Sequence, residues 1–304
     1  MTLAKATLPD GQPADLPGEA PFPAESLRAL VDERFDLPCG DPWLQATGDR
    51  GHAYLDASRQ AWLDHPEYMD FLAMDSPVWD LKRAERDLYL EALGDRMGAK
   101  TVLDVGCGIG RLTQPFLDEG ATVYGCDGDL DSLRRCAWYA AGRAGRLDLF
   151  WTSVFALPDV KVDLILAVEV LCYVEDPVAV LRELRERLNP GGALLLAMEA
   201  RWGWATSPDA PADGLDVALG EGGPLELDDR FVHVLEGEQV DAMLEEAGFT
   251  VESRLATHYF TTGPLEALLP VDLSRELLLE IEDRARRHPV WGPLNRIWTV
   301  IATR

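Results

Sequence analysis

Asp104 precedes Gly106, Gly108 and Gly110 in the run D-V-G-C-G-I-G, and a second acid, Asp127, closes the apolar stretch that follows. Alternating glycines let a ligand approach the main chain where a Cβ would collide, and a turn of this kind commonly visits positive φ. A helix that begins there leaves amide N–H groups directed at the same space, which suits an anionic or carbonyl-like partner. The spacing narrows the ligand. A dinucleotide fingerprint requires glycine at position 111, which is Arg111, and a phosphate loop requires Gly-Lys-Ser/Thr, which is absent.

Such a turn works only between particular elements. Residues 101–105, Asp104 apart, are β-branched or apolar and read as a buried parallel strand. Residues 111–118 carry Leu112, Phe116 and Leu117 at helical spacing, Gly120 follows as a stop, and 121–126 are again strand-like. The product is a β-α-β unit with the glycines in its first turn.

In this setting D-x-G-x-G-x-G, with Asp127 ending the second strand, resembles motif I of the class I S-adenosylmethionine-dependent methyltransferases. The resemblance implies an α/β fold: a doubly wound, seven-stranded, mostly parallel sheet of the Rossmann-like methyltransferase type, with an N-terminal helical cap. It implies S-adenosyl-L-methionine as cofactor and S-adenosyl-L-homocysteine as product. Asp104 would then support the methionine ammonium, Gly106, Cys107, Gly108 and Gly110 would cradle the amino-acid tail, Asp127 would accept from both ribose hydroxyls, and Gly128 would lie near the adenine edge. Taken alone, Asp104 reads as a turn or helix cap and Asp127 as a loop acid.

Residues 147–152 read as a third strand. Family members often follow it with an acid for the adenine amino group, and this chain has Ser153 there. A hydroxyl can still donate or accept such a bond, with the Val154 N–H for the ring nitrogen and Phe155 for the ring face. Residues 162–168 form a near-continuous apolar run, as expected of a parallel strand covered on both faces. In a doubly wound sheet its carboxyl end lies at the ligand crevice, so Val168 joins the cofactor contacts, and Glu169, Leu171 and Tyr173 are expected near the reacting centre. A buried tyrosine with a satisfied hydroxyl is the plainer reading of Tyr173.

Methyl transfer requires alignment, exclusion of water and, where the acceptor carries one, removal of a proton. Imidazole suits the last task at neutral pH, and His233 and His258 are the candidates by chemistry; any one histidine is also readable as structural. The catalytic set is therefore His233, Tyr173 and Glu169. Glu175 and Asp176 are adjacent acids, which seldom point into one site, so no metal is expected.

Around this core, residues 1–25 are rich in Pro, Gly and Ala and read as a flexible tail or a strap over the body. Residues 26–98 read as helices forming a lid, with Trp62, Tyr68, Phe71, Trp79 and Arg83 as candidates to cover the site. Residues 99–304 form the catalytic domain, with an irregular inserted loop over 201–230 and a helical insertion over 264–288. Trp202 and Trp204 either wall a substrate pocket or pin the loop. A helix over 177–188 ends at the turn 189–192, and strands are expected over 193–199, 250–260 and 296–302.

The 304 residues suit one catalytic domain with additions. A net charge of −25 repels a phosphate backbone and argues against a nucleic-acid substrate. The five cysteines form no C-x-x-C pair and read as reduced, mostly buried thiols. No apolar run reaches membrane-spanning length and no signal pattern opens the chain, so a cytoplasmic enzyme without membrane or nucleic-acid partners is expected. The function these readings favour is methyl transfer to a small organic acceptor at O, N, S or C. The alternatives are transfer to a peptide or protein terminus, and a binding protein that senses S-adenosylmethionine or S-adenosylhomocysteine without turnover.

Overall fold

The computed structural model describes residues 5–7, 13–14, 60–61, 64, 69–72, 78–206, 212–226, 231–261 and 274–304. In chain order the strands are β1 Lys5–Thr7, β2 Pro13–Ala14, β3 Thr101–Val105, β4 Thr122–Asp127, β5 Arg146–Trp151, β6 Val162–Val168, β7 Leu188–Glu199, β8 Gly223–Glu226, β9 Phe231–Val234, β10 Thr250–Thr257 and β11 Ile297–Thr303. The helices are α1 Trp79–Leu93, α2 Thr113–Asp118, α3 Leu130–Ala140, α4 Pro177–Arg187, α5 Arg201–Ala205, α6 Ala212–Leu219, α7 Gly237–Glu246 and α8 Arg275–Arg286. Strands β3 to β7 with β10 and β11 make the seven-stranded, mostly parallel sheet expected of the fold. None of the described helices is long and apolar enough to cross a membrane.

The chain divides into two compact units. The first comprises residues 1–79, 98–163 and 228–230. Within it β3, β4 and β5 pair in parallel, with Thr101 opposite Thr122 and Thr122 opposite Arg146. Val102, Leu103, Val105, Val123 and Leu149 are buried, the result of two-sided coverage of parallel strands. β1 adds to β5 in parallel and β2 returns antiparallel, so part of the expected tail gains order by lending a strand to this edge. Helices α2 and α3 pack on β4 and β5 through Phe116, Leu117, Leu133 and Ala137.

The second unit comprises residues 80–97, 164–227 and 231–304. β11 lies between β10 and β7 and is antiparallel to both. Seven consecutive residues of β7, from Ala193 to Glu199, are buried. Asp176 caps α4, its Oδ1 accepting the Ala179 N–H at 2.9 Å, ahead of Pro177 at the first helical position. The stretch expected as an irregular loop instead carries α5, α6 and the hairpin strand β8, paired antiparallel with β9. The cause is tertiary: Trp204 is buried against Leu225, Val232 and Val234, which pins the insertion to the body. Trp202 donates from Nε1 to Glu236 Oε1 at 3.1 Å, and Arg201 stacks over its ring. The helices expected before residue 60, together with Trp62 and Tyr68, lie outside the described residues.

Candidate functional site

In the first unit the glycine turn is stitched to the neighbouring strand. Gly106 N–H and Cys107 N–H both donate to the Cys126 carbonyl, at 2.8 and 3.0 Å, and Gly110 N–H donates back to Cys107 O at 2.9 Å. Gly106, Gly108 and Gly110 all have left-handed backbones, with φ of 68°, 52° and 92°. Two of them serve different ends. A Cβ at Gly110 would stand 2.8 Å from Cys136 Sγ, so that glycine is required by packing; a Cβ at Gly108 meets nothing within 4 Å, so that glycine faces open space. Gly108→Ala is expected to cost about 1 kcal/mol for its left-handed backbone, and Gly110→Ala clearly more because the clash is added. Urea denaturation checks the order.

Asp127 closes the turn from the other side. Its Oδ2 accepts the Gly108 N–H at 2.7 Å and its Oδ1 accepts the Asp129 N–H at 2.8 Å, and each oxygen keeps a second lone pair for a ligand hydroxyl. Burial, then the neighbouring Asp129 charge, push its carboxyl up to about 7, against the two amides that pull it down. Asp104 accepts from Thr113 Oγ1 at 2.6 Å; burial pushes it up to about 6, with Thr113 and Arg111 opposing. Asp104 is thus both a tie to the first residue of α2 and a carboxylate beneath the turn.

The adenine candidates behave unevenly. Trp151 Nε1 donates to the Gly128 carbonyl at 2.9 Å and fixes that residue beside Asp127. Ser153 is buried, and its oxygen accepts the Phe155 N–H at 3.2 Å. Phe155 is 46% exposed, a large apolar face open to solvent. Cys107 is held as a neutral thiol by its hydrogen bond with Cys136 and by burial. Val168 is buried at the end of β6. From the expected lid, Phe71, Leu72 and Trp79 pack with Ile109 of the glycine turn, and Arg111 stacks over Phe71. Asp70 anchors this segment through Arg135 and Tyr139, each at 2.6 Å, a buried linkage that local pattern does not announce.

The second unit holds the catalytic candidates. Glu169 follows β6 with φ of 56°, and Tyr89 of α1 donates its hydroxyl to Glu169 Oε1 at 2.7 Å. Tyr173 donates to Glu199 Oε1 at 2.8 Å; Arg296 meets Glu199 through Nε and, at 3.1 Å, through Nη2. Burial, then the Glu199 charge, raise the Tyr173 phenol well above its usual range, so it serves as a donor. His233 on β9 sets its Nε2 2.7 Å from the Val174 carbonyl, and burial lowers its pKa so that the ring stays neutral. His258 is fully buried, with Nδ1 2.8 Å from Thr257 Oγ1. Leu171 and Cys172 are core residues, and burial raises the Cys172 thiol, which removes it as a nucleophile. Sequence reading missed Tyr89, Glu199 and Arg296; only Glu199, an acid closing an apolar run, left a local signal.

Residues 80–254, more than half of the chain, match the family model described as Methyltransferase domain. The chain belongs to this methyltransferase family. The class I S-adenosylmethionine-dependent resemblance of the glycine motif therefore holds. Among relatives, the ubiquinone biosynthesis O-methyltransferase of Escherichia coli is 32% identical over 142 residues, covering 43% of this chain and 59% of its own. That of Citrobacter koseri is 31% identical over 147 residues, covering 44% and 61%. The chain thus spans about three fifths of the length of these curated relatives. Among solved structures, an S-adenosylmethionine-dependent methyltransferase from Mesorhizobium loti aligns with a TM-score of 0.52 at 22% identity, over 73% of this chain and 98% of that one. The PH0226 protein from Pyrococcus horikoshii aligns with a TM-score of 0.52 at 16% identity, over 80% and 98%. At these identities the likeness is one of fold.

Proposed function

We propose that this chain transfers a methyl group from S-adenosylmethionine to a small organic acceptor. The observation that carries the reading is the pairing of Gly108 N–H with Asp127 at 2.7 Å beside open space at Gly108, in a chain of the methyltransferase family. The residues present fit the cofactor: a main-chain cradle for the amino-acid tail at Gly106, Cys107, Gly108 and Gly110, a carboxylate with spare lone pairs for two ribose hydroxyls at Asp127, and Asp104 for the ammonium. Gly128, Ser153, Val154 and Phe155 are assigned to the nucleoside, and Val168 to the methionine part. When bound, the sulfonium supplies an electrophilic methyl, whose C–S electron pair stays on sulfur as the acceptor lone pair bonds to carbon.

The chain itself orients, dries and deprotonates. Because the leaving group departs neutral, no oxyanion hole is required, and rate comes from alignment. Glu169 is assigned to the acceptor proton, Tyr173, whose hydroxyl proton is given to Glu199, to shaping the site beside it, and His233 to holding the Val174 loop. The relatives named for O-methyl transfer support oxygen as the first acceptor atom to try. The reading is of a cytoplasmic enzyme with no nucleic-acid or membrane partner.

Calorimetry with S-adenosylmethionine and S-adenosylhomocysteine, followed by mass spectrometry of phenol, amine and peptide panels, tests it. Binding of both forms with methylated small molecules is expected, and Gly108→Ala should weaken both affinities more than tenfold while remaining folded. Binding without transfer to any acceptor would favour the sensor instead, and methylated peptide termini would favour the wider-substrate enzyme.

A further inference from the structure

Among the described residues, two that are not glycine adopt a left-handed backbone, Glu169 at φ 56° and His258 at φ 62°. Such a conformation is strained for a residue with a Cβ. Both meet at one side chain. Tyr89, fully buried on α1, donates its hydroxyl to Glu169 Oε1 at 2.7 Å, and its ring lies 4.7 Å from the His258 imidazole at 34°. Main-chain bonds hold each residue in place: Glu169 N–H donates to Ala197 O at 3.2 Å, and Arg296 N–H donates to His258 O at 3.1 Å.

Two carboxylates occupy this neighbourhood, and their surroundings differ. Glu199 is 1% exposed and enclosed by Arg296 and Tyr173, so its charge is committed to the interior. Glu169 is half-buried at the carboxyl end of β6, where parallel strands present their ligand-facing residues. Among the groups acting on Glu169 are Tyr89 from α1, Cys172 and Tyr173 from the turn after β6, Glu199 from the end of β7 and Arg296 ahead of β11. Glu199 opposes ionisation of Glu169, while Arg296 and the Tyr89 hydroxyl favour it.

We infer that Tyr89 is a positioning residue that aims the Glu169 carboxylate, and that Glu169 takes a proton from an acceptor whose attacking atom is a hydroxyl oxygen or an amine nitrogen. The inference rests on the methyltransferase reading above and narrows its acceptor class. For a hydroxyl the O–H proton moves to a Glu169 oxygen and the bonding pair remains on oxygen as the attacking pair; an amine nitrogen attacks with the lone pair it already holds, and the proton then passes to Glu169 from the ammonium so formed. Glu169 becomes a neutral acid and afterwards returns the proton to water. The left-handed backbone at Glu169 and the buried phenol behind it serve one end: they fix where the basic oxygens point.

The test has an arm that needs no acceptor. Glutamate labelled with 13C at the carboxyl is titrated by NMR, with Glu169→Gln identifying the Glu169 signal. Tyr89→Phe keeps the ring and removes the hydroxyl; it should raise the Glu169 midpoint by half a pH unit or more while S-adenosylhomocysteine affinity stays within twofold. With an accepted small molecule, the acid limb of kcat against pH should move upward by the same amount and KM should change little. Glu169→Gln should lower kcat at least 100-fold in a chain that still binds S-adenosylhomocysteine. A folded Tyr89→Phe with an unmoved midpoint, or a Glu169→Gln that retains kcat, overturns the inference. Failure of the wild-type chain to bind S-adenosylhomocysteine would instead remove the methyltransferase reading.

Discussion

Asp127→Ala is expected to weaken S-adenosylhomocysteine binding at least tenfold, because it deletes a charged acceptor for two ribose hydroxyls and loosens the turn it ties at Gly108. The pH dependence makes the prediction sharper. The Asp127 carboxyl sits at about 7, raised chiefly by burial and then by Asp129. Donated sugar hydroxyls favour the ionised form, so a proton competes with the ligand and affinity falls as pH drops through 7. For one group the loss approaches tenfold for each unit below its pKa. Asp104, at about 6, acts in the same direction through the ligand ammonium and steepens the loss further down. Calorimetry at four pH values between 5.5 and 8.5 should show this slope in the wild-type chain. In Asp127→Asn the part near pH 7 should vanish, leaving weaker binding that is flat until Asp104 titrates. A wild-type affinity indifferent to pH across this range would remove Asp127 from the ribose.

What the sequence disclosed, and what it withheld, follows from the range of the interactions. The glycine turn, Asp127 and strands β3, β4, β5 and β6 were legible because each is written in a few adjacent residues: β-branched runs, a glycine spacing, an acid at a strand end. The two roles of the turn glycines were not. Only the packing of Cys136 beneath Gly110 separates it from Gly108, which faces open space. The inserted stretch read as irregular because its helices are short and its Gly and Pro content high; its order comes from Trp204 and its neighbours, a cluster assembled from three elements. Tyr89 to Glu169 and Arg296 to Glu199 join residues 80 and 97 positions apart, and no local periodicity carries such information. Nor does anything in the residue types at Glu169 or His258 signal a left-handed backbone, which those positions adopt because surrounding bonds impose it. Nor did the tail composition signal β1, which pairs in parallel with the edge of β5 and antiparallel with β2.

Arg296→Met is expected to destabilise the fold by about 3 to 5 kcal/mol, the usual cost of leaving one partner of a buried ion pair uncompensated. Glu199 closes β7 opposite Ile297, so the guanidinium of the preceding residue reaches its carboxylate at once from the neighbouring strand. Burial already raises the Glu199 carboxyl, with Arg296 the main influence holding it down. Removing the guanidinium therefore moves it further up. The sign follows: a carboxyl raised in the folded state makes folding progressively less favourable as pH climbs from its unfolded value towards its folded one. The variant's deficit should accordingly be larger at pH 8 than at pH 5. Adding Glu199→Gln to Arg296→Met removes the stranded charge and keeps an acceptor for the Tyr173 hydroxyl, so the double variant should regain much of the loss. Urea denaturation followed by circular dichroism at both pH values measures each quantity. A deficit below about 1 kcal/mol, or one that shrinks as pH rises, would mean that water reaches Glu199 and that the pair is a surface contact.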